Sequence, residues 1–549
     1  MKNQLLVLVL GLLFHISYAQ PKSDQELAAG FDKILSAAFK TNETGATALV
    51  ARKGQVIYKK AFGMASIELG VPMKLDHVFR IGSITKQFTA VAILQLMEQG
   101  KLNLQDEITK FIPDYPTQNS KITIEHLLTH TSGIQSYTGM KDFIGRINMD
   151  LKPAEMIDHF KNQPMNFVPG TKWNYNNSGY FLLGYIIEKI TGKTYPQYLE
   201  ENFFKPLGMT NTLYGTDARI VKNRVAGYTR GDSGIENAHS MSMTQPYAAG
   251  SIQSTVEDLF KWHQAVFANK LVKNETLKKA HKKYVLSDGK ETSYGYGWGL
   301  RYVQESPTIE HSGGINGFST MAIYVPQEDV FVTVFSNCEC ISPGDITTKL
   351  AALALGKPYD YKAIPIETGD LKGYTGVYEN AKSEQRIITL SENQLLSQRG
   401  KGPKFKIHAY QKDQFFFDDA LLTIAFTRDA KRGVTALTTK GRDGSEVWNK
   451  TNKAIPVPVA IQVDPNILAT YVGEYEITPT FLFVVTREKD RIFLQATGQE
   501  KVEMFAETTE KFFLKVNDAE LQFVKDGSGK VTSVLLNQSG RDTEAKKVK

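Results

Sequence analysis

The sequence predicts an α+β domain, an antiparallel sheet with helices, followed by two all-β antiparallel barrel-like repeats. Three observations lead there. At 549 residues the chain is too long for one hydrophobic core. Residues up to about 356 mix helical periodicity with short strands. The last third resembles itself at a spacing of 97 residues. The expected boundaries are a leader at 1–19, the α+β domain at 20–356, linkers at 357–366 and 451–464, and repeats at 367–450 and 465–549. A composition of 42% hydrophobic and 22% charged residues argues against disorder. The net charge of +7 is spread thinly, with no dense Lys/Arg stripe, so no nucleic-acid partner is implied.

The leader carries Lys2, an apolar run from Leu5 to Leu13 and a small-x-small site at Ser17-Tyr18-Ala19. That is a secretory signal pattern, and the run is too short to span a bilayer. No later stretch reads as a membrane span, so a periplasmic or secreted protein is expected. Cys338 and Cys340 are the two cysteines. In a strand their Cα atoms would sit near the upper limit for bridging, so the pair reads as structural or free thiols, with a local disulfide as the alternative. Without a histidine nearby they make a poor zinc site.

Residues 24–39 have Leu27, Phe31, Ile34, Leu35 and Phe39 at helical spacing. Strands follow at 46–52 and 55–62, turned at Lys53-Gly54. Residues 83–99 form a helix too apolar for a surface position, stopped at Gly100 and opening Ser83-Ile-Thr-Lys86. Residues i and i+3 share a helix face, so the Ser83 hydroxyl and Lys86 amine can meet; alternatively Ser83 is an N-cap and Lys86 snorkels outward. A short helix at 123–131 carries His126 and His130, four apart. No third ligand is evident, so structural hydrogen bonding is the reading and no metal is assigned. Tyr175-Asn-Asn177 precedes another apolar helix. Its asparagines are natural caps, or Tyr175 and Asn177 lie in an extended segment aimed at one point. Residues 308–336 read as two or three strands, with a glycine-rich bend after His311 and a hairpin around Pro326-Gln327. Gly313, Gly314 and Gly317 permit close backbone approach to a ligand, or a bulge.

Ser83-Ile-Thr-Lys86, Tyr175-Asn-Asn177 and His311-Ser-Gly313 stand in the order and spacing of the penicillin-recognising serine hydrolases. The chain resembles the branch containing class C β-lactamases, D-alanyl-D-alanine carboxypeptidases, D-aminopeptidases and related esterases. Leu127-Leu-Thr-His-Thr-Ser-Gly133, Phe204-Lys-Pro-Leu-Gly-Met209 and Ala248-Ala-Gly250 extend the likeness over about 24–356. The resemblance implies a β-lactamase/transpeptidase-like fold without a cofactor. It also implies Ser83 as nucleophile, Lys86 as general base, Tyr175 as general acid/base and Asn177 as an orienting group. Backbone N–H groups of Ser83 and Gly314 would form an oxyanion hole, with Gly313 beside the substrate.

A serine hydroxyl needs a base beside it. Lys86 can serve only if neutral, a shift from about 10.4 towards 7 that costs roughly 4–5 kcal/mol and lies within the reach of burial. Near Lys86 a Tyr175 phenolate would be favoured, so either residue is a candidate base, and Tyr175 would activate the deacylating water. Where many relatives carry Lys in the third motif, this chain has His311. Histidine is mostly neutral at pH 7, which moves the expectation from carboxypeptidase and penicillinase towards aminopeptidase, amidase or esterase chemistry. Any preference for carboxylate substrates should then grow as pH falls through the His311 range, between 8 and 5. A small-molecule or short-peptide substrate is implied; oligomeric state is not legible.

In the last third, Leu371-Lys-Gly-Tyr374-Thr-Gly376-Val-Tyr378 recurs as Leu468-Ala-Thr-Tyr471-Val-Gly473-Glu-Tyr475. About eight short alternating strands per copy fit a small closed barrel, which removes exposed edges. A hydrolase domain followed by two barrels is similar to the D-aminopeptidases, where barrels restrict the site; barrels as stabilising or docking modules are the alternative. A β-lactamase or carboxypeptidase, and an inert ligand-binding or sensor homologue, are the competing functional readings.

Overall fold

A computed structural model describes residues 23–549 except 217, 232, 419–420, 457–458, 479–480, 517–518 and 539–540. The leader at 1–19 and part of the Pro456–Pro458 joint lie outside the described residues. The chain separates into one unit ending at Tyr359 and a second spanning Asp360–Lys549.

The first unit opens with α1 (Asp24–Ala38), whose Ser23 cap is locked by a reciprocal bond with Glu26. The strands β1 (Ala46–Arg52) and β2 (Gln55–Phe62) are joined through Lys53 and Gly54, both at positive φ. Such a turn matches the twist of a tight hairpin. Next come α2 (Thr85–Glu98), α3 (Ile124–Leu128) and α4 (Asn177–Thr191). The strands β3 (Gly299–Val303), β4 (Ser306–Ile315), β5 (Phe318–Val325) and β6 (Val330–Ser336) follow, and α5 (Pro343–Ala354) closes the unit.

One antiparallel sheet of order β3-β4-β5-β6-β1-β2 brings the chain ends of the unit together. Both faces are covered, so β1 is buried continuously from Ala46 to Ala51 rather than in alternation. Ala48 and Val50 pack with α1 and α5, through Phe31, Leu35 and Leu350. Leu49 and Ala51 point the other way, into a larger core built on α2 and α4. The α2 helix is buried on every side, from Thr85 through Leu94, as its composition predicts.

Two expectations are corrected. No glycine bend breaks β4: it runs through Gly313 and Gly314, paired to Thr320 and Ser319 of β5. The cysteines form a Cys338–Cys340 disulfide rather than free thiols. They lie past the end of β6, where the turning chain brings their Cα atoms to 5.1 Å, inside bridging range.

The second unit holds two closed eight-stranded antiparallel barrels. The first runs from Gly376–Glu379 to Gly444–Lys450 and closes where Tyr378 faces Lys450. The second runs from Gly473–Thr478 to Arg541–Lys547 and closes where Tyr475 faces Lys547, 97 residues on in both strands. A seven-residue helix leads into each, Thr368–Tyr374 and Pro465–Tyr471. At the junctions Tyr378 Oη donates to the Tyr374 carbonyl and Tyr475 Oη to the Tyr471 carbonyl, each at 2.6 Å. These buried corners fix the helix-to-strand angle in both copies. Tyr378→Phe and Tyr475→Phe should each lower the stability of this unit by about 1 kcal/mol in urea unfolding. Loss at one corner and none at the other would contradict their equivalence.

Candidate active site

Ser83 sits in a tight turn, Gly82–Ile84, that runs directly into α2. The turn approaches β4 so closely that a Cβ on Gly82 would lie 3.0 Å from the Gly314 nitrogen, and Gly82 is at positive φ. Thr320 Oγ1 donates to the Ile81 carbonyl at 3.0 Å and ties the same turn to β5. Ser83 therefore projects at the seam between the sheet and the helical core.

One turn on, Lys86 is fully buried and does not snorkel outward. Its Nζ has three close partners: Ser83 Oγ at 3.0 Å, Asn177 Oδ1 at 2.8 Å and the Ala249 carbonyl at 2.8 Å. All three are uncharged. Burial without a counter-ion holds the amine well below its ordinary value. A neutral amine has two N–H donors and one lone pair. Two of the partners are carbonyl oxygens, which can only accept, so both donors are used on them. In the neutral form that burial favours, the lone pair is left facing the Ser83 hydroxyl.

The carbonyl acceptors are themselves held. Thr89 Oγ1 donates to the Ala248 carbonyl at 2.7 Å, and Tyr247 takes the left-handed φ of 41° that turns Ala249 inward. Asn177 Nδ2 donates to Thr138 Oγ1 at 3.2 Å, which aims its oxygen at Lys86. Asn176, not Asn177, caps α4, by accepting from the Gly179 nitrogen. Tyr175 lies in the preceding extended stretch, and Asn177 is the first residue of the helix.

Tyr175 is hydrogen-bonded to Ser83, and its ring centroid is 4.8 Å from Lys86 Nζ. Burial pushes its phenol up, overriding the Ser83 bond. Tyr175 is therefore a neutral phenol beside a neutral amine, and the expected phenolate is corrected. Its ring packs at 4.3 Å on His130, a residue with positive φ whose Nδ1 accepts from the Asn176 nitrogen. His126 Nδ1 accepts likewise from the Thr123 nitrogen. Both histidines of the i, i+4 pair thus brace backbone around the site.

His311 is buried behind the opening. Its Nδ1 faces the Ser312 carbonyl at 2.6 Å and must donate to it, so Nε2 accepts from Tyr294 Oη at 2.7 Å. Burial, the largest cause, pushes this imidazole down to about 3. His311 stays neutral from pH 8 to 5, so the expected pH-dependent carboxylate preference loses its physical basis. Gly313 is also reassigned. A Cβ there would meet the Ile81 carbonyl at 2.0 Å, so its glycine serves packing. Gly314 is exposed, with open space where a Cβ would point. Pairing with β3 ends at Glu310, which leaves Ser312 to Gly314 as a free strand edge at the mouth. Sequence reasoning assigned no role to Ala249 or Tyr294; Ala248-Ala-Gly250 was visible as a motif, whereas nothing local marks Tyr294.

Three further buried histidines join His311 in being held neutral: His263 and His281 at about 3, and His130 well below its usual value, each chiefly by burial. Unfolded histidine titrates near 6.5, so the unfolded chain binds more protons below that pH. Stability is full above about pH 6.5 and falls as pH drops, by up to about 1.4 kcal/mol per unit for each histidine. The urea midpoint of the first unit should therefore be lower at about pH 5 than at about pH 7. Equal midpoints would contradict the burial of neutral imidazoles.

Comparison with known proteins identifies relatives in sequence and fold. Residues 31–355 match the family described as Beta-lactamase, and residues 457–547 match a domain of unknown function (DUF3471). A penicillin-binding protein of Bacillus subtilis (strain 168) is 26% identical over 92% of this chain and 95% of its own length. The octameric penicillin-binding protein homologue from Pyrococcus abyssi superposes with a TM-score of 0.55 at 25% identity, over 78% of this chain and all of that one. A D-stereospecific amidohydrolase from Streptomyces sp. superposes with a TM-score of 0.52 at 25% identity, over 59% of this chain and 98% of that one. The matched family model spans more than half of the chain, over the unit that carries Ser83, Lys86 and Tyr175, and the chain belongs to the beta-lactamase family, the penicillin-recognising serine hydrolases.

Proposed function

We propose that this protein is an exported serine hydrolase that works through an acyl-enzyme at Ser83 on small peptides, amides or esters. The observation that carries this reading is the Lys86 amine, whose two carbonyl acceptors leave its lone pair for the Ser83 hydroxyl. In acylation Lys86 takes the Ser83 proton as Oγ bonds to the substrate carbonyl carbon. The Ser83 and Gly314 amides, on facing segments, receive the oxyanion. Tyr175, a neutral phenol, protonates the leaving amine or alcohol and is reprotonated from Lys86. In deacylation a water oxygen bonds to the acyl carbon while its proton goes to Tyr175, which passes its own to Lys86; the acyl–Oγ bond then breaks and Lys86 returns the proton to Ser83 Oγ. Asn177 orients Lys86, and the free edge from Ser312 to Gly314 suits an extended substrate backbone.

The Streptomyces amidohydrolase supports an amide substrate with a D-configured residue. A neutral, enclosed His311 supplies no cation for a substrate carboxylate, which favours aminopeptidase, amidase or esterase chemistry over a carboxypeptidase or β-lactamase. The leader pattern in residues 1–19 supports a periplasmic or secreted location. Among the described residues no helix is long and apolar enough to cross a membrane.

The direct test is hydrolysis of D-alanyl para-nitroanilide and a para-nitrophenyl ester by the mature protein. Turnover of the anilide that vanishes in Ser83→Ala supports the amidase reading; turnover of the ester alone moves it to an esterase. Turnover unaffected by Ser83→Ala would refute the mechanism. Tyr175→Phe should lower kcat by about 10²–10⁴-fold with little change in folding. Unchanged kcat would remove Tyr175 from proton transfer.

A further inference from the structure

The duplication in the second unit gives each barrel position a twin 97 residues away, and at one end the twins differ in kind. In the first barrel Arg386 pairs across the ladder with Arg399, and Leu437 with Trp448. In the second the same pairings are Phe483 with Ala496, and Val534 with Ala545. Ser397, opposite Ile388, corresponds to Leu494, opposite Val485. Arg386 shares the inner strand face with Ile388, a core residue, so its guanidinium points into the barrel. The second copy shows that this end closes with apolar side chains alone: Phe483, Leu494, Ala496 and Ala545 all belong to its core.

The first copy instead buries a cation. Arg386 is 6% exposed. Its guanidinium lies 4.9 Å from the ring centre of Trp448, which is fully buried, and Arg399 lies 5.3 Å from the same ring. Arg399 has its own counter-ions, Glu384 at 2.5 Å and Glu446 at 3.6 Å. Arg386 has no carboxylate at ion-pair distance among the described residues. Nη1 donates to Ser397 Oγ at 3.0 Å, and the buried Nε–H has no partner among the described residues. Burial, then the charge of Arg399, push Arg386 down to about 10, and the more distant Glu446 carboxylate opposes them only in part. A buried cation without a carboxylate at ion-pair distance is costly where the same chain closes the twin barrel with apolar residues, so the fold alone does not account for it.

We propose that this end of the first barrel is a binding site for an oxyanion, the carboxylate or phosphate group of a small ligand, held by the Arg386 fork against Trp448 and Ser397. An oxyanion there would take the free Nε–H and a terminal N–H as a bidentate pair and supply a counter-charge at ion-pair distance. The site lies outside the catalytic unit and does not depend on the proposed hydrolysis.

The test is isothermal titration of the full chain with inorganic phosphate, and separately with acetate, at constant ionic strength. The expected result is saturable binding of at least one. Phosphate alone identifies a phosphate site; competition by acetate identifies a carboxylate site. A variant carrying the second barrel's residues, Arg386→Phe with Ser397→Leu, Arg399→Ala and Trp448→Ala, should melt no lower than wild type and bind at least about tenfold more weakly. Arg386→Gln, which leaves the rest of the barrel untouched, should show the same loss of binding. No saturable binding of either anion by wild type, or undiminished binding in Arg386→Gln, would overturn the proposal.

Discussion

The site depends on the burial of one amine among neutral acceptors. Lys86 lies inside a helix that is enclosed on every side, and among the described residues no carboxylate stands beside it. Had one of its carbonyl partners been an aspartate, the ammonium would be stabilised and the lysine would be a structural cation. With Asn177 and Ala249 in those places, desolvation acts unopposed and the neutral form is favoured. Much of the surrounding structure holds those two oxygens in position: Thr138 orients the Asn177 amide, and Thr89 and the left-handed Tyr247 hold the segment that presents Ala249.

A ring of neutral groups preserves that condition. Tyr175, His130, Tyr294 and His311 are within ring-contact distance of one another, and each is polar without carrying charge at neutral pH. Acidic groups there would raise the Lys86 pKa; charged histidines would repel substrate cations and destabilise the core. The left-handed backbone at Gly82 and the inward Gly313 let the serine turn lie against β4. Folding thus places the Ser83 hydroxyl, the Lys86 amine and an open strand edge at one seam between sheet and helices.

Much of this was legible in the sequence. The α1 helix and the β1–β2 hairpin follow from periodicity and a turn signal, and the barrels follow from the 97-residue repeat together with short alternating strands. Ser83, Lys86, Tyr175 and Asn177 were marked by spacing and resemblance, and the structure brings them together. What sequence could not supply was environment. The protonation of Tyr175 and His311 is set by burial, which depends on residues far along the chain. The roles of Gly313 and Gly314 separate only when it is known which faces Ile81 and which faces solvent. The cysteine pair misled because a strand was assumed where the chain turns.

The most direct test of a neutral Lys86 is the pH dependence of covalent labelling of Ser83 by a fluorophosphonate, followed by intact-mass spectrometry from about pH 5 to 10. The labelling rate should level off well below the ordinary lysine range of about 10.4, because burial favours the deprotonated base. A rate that keeps rising through pH 10, or label that lands on a residue other than Ser83, would contradict the central role given to the buried amine.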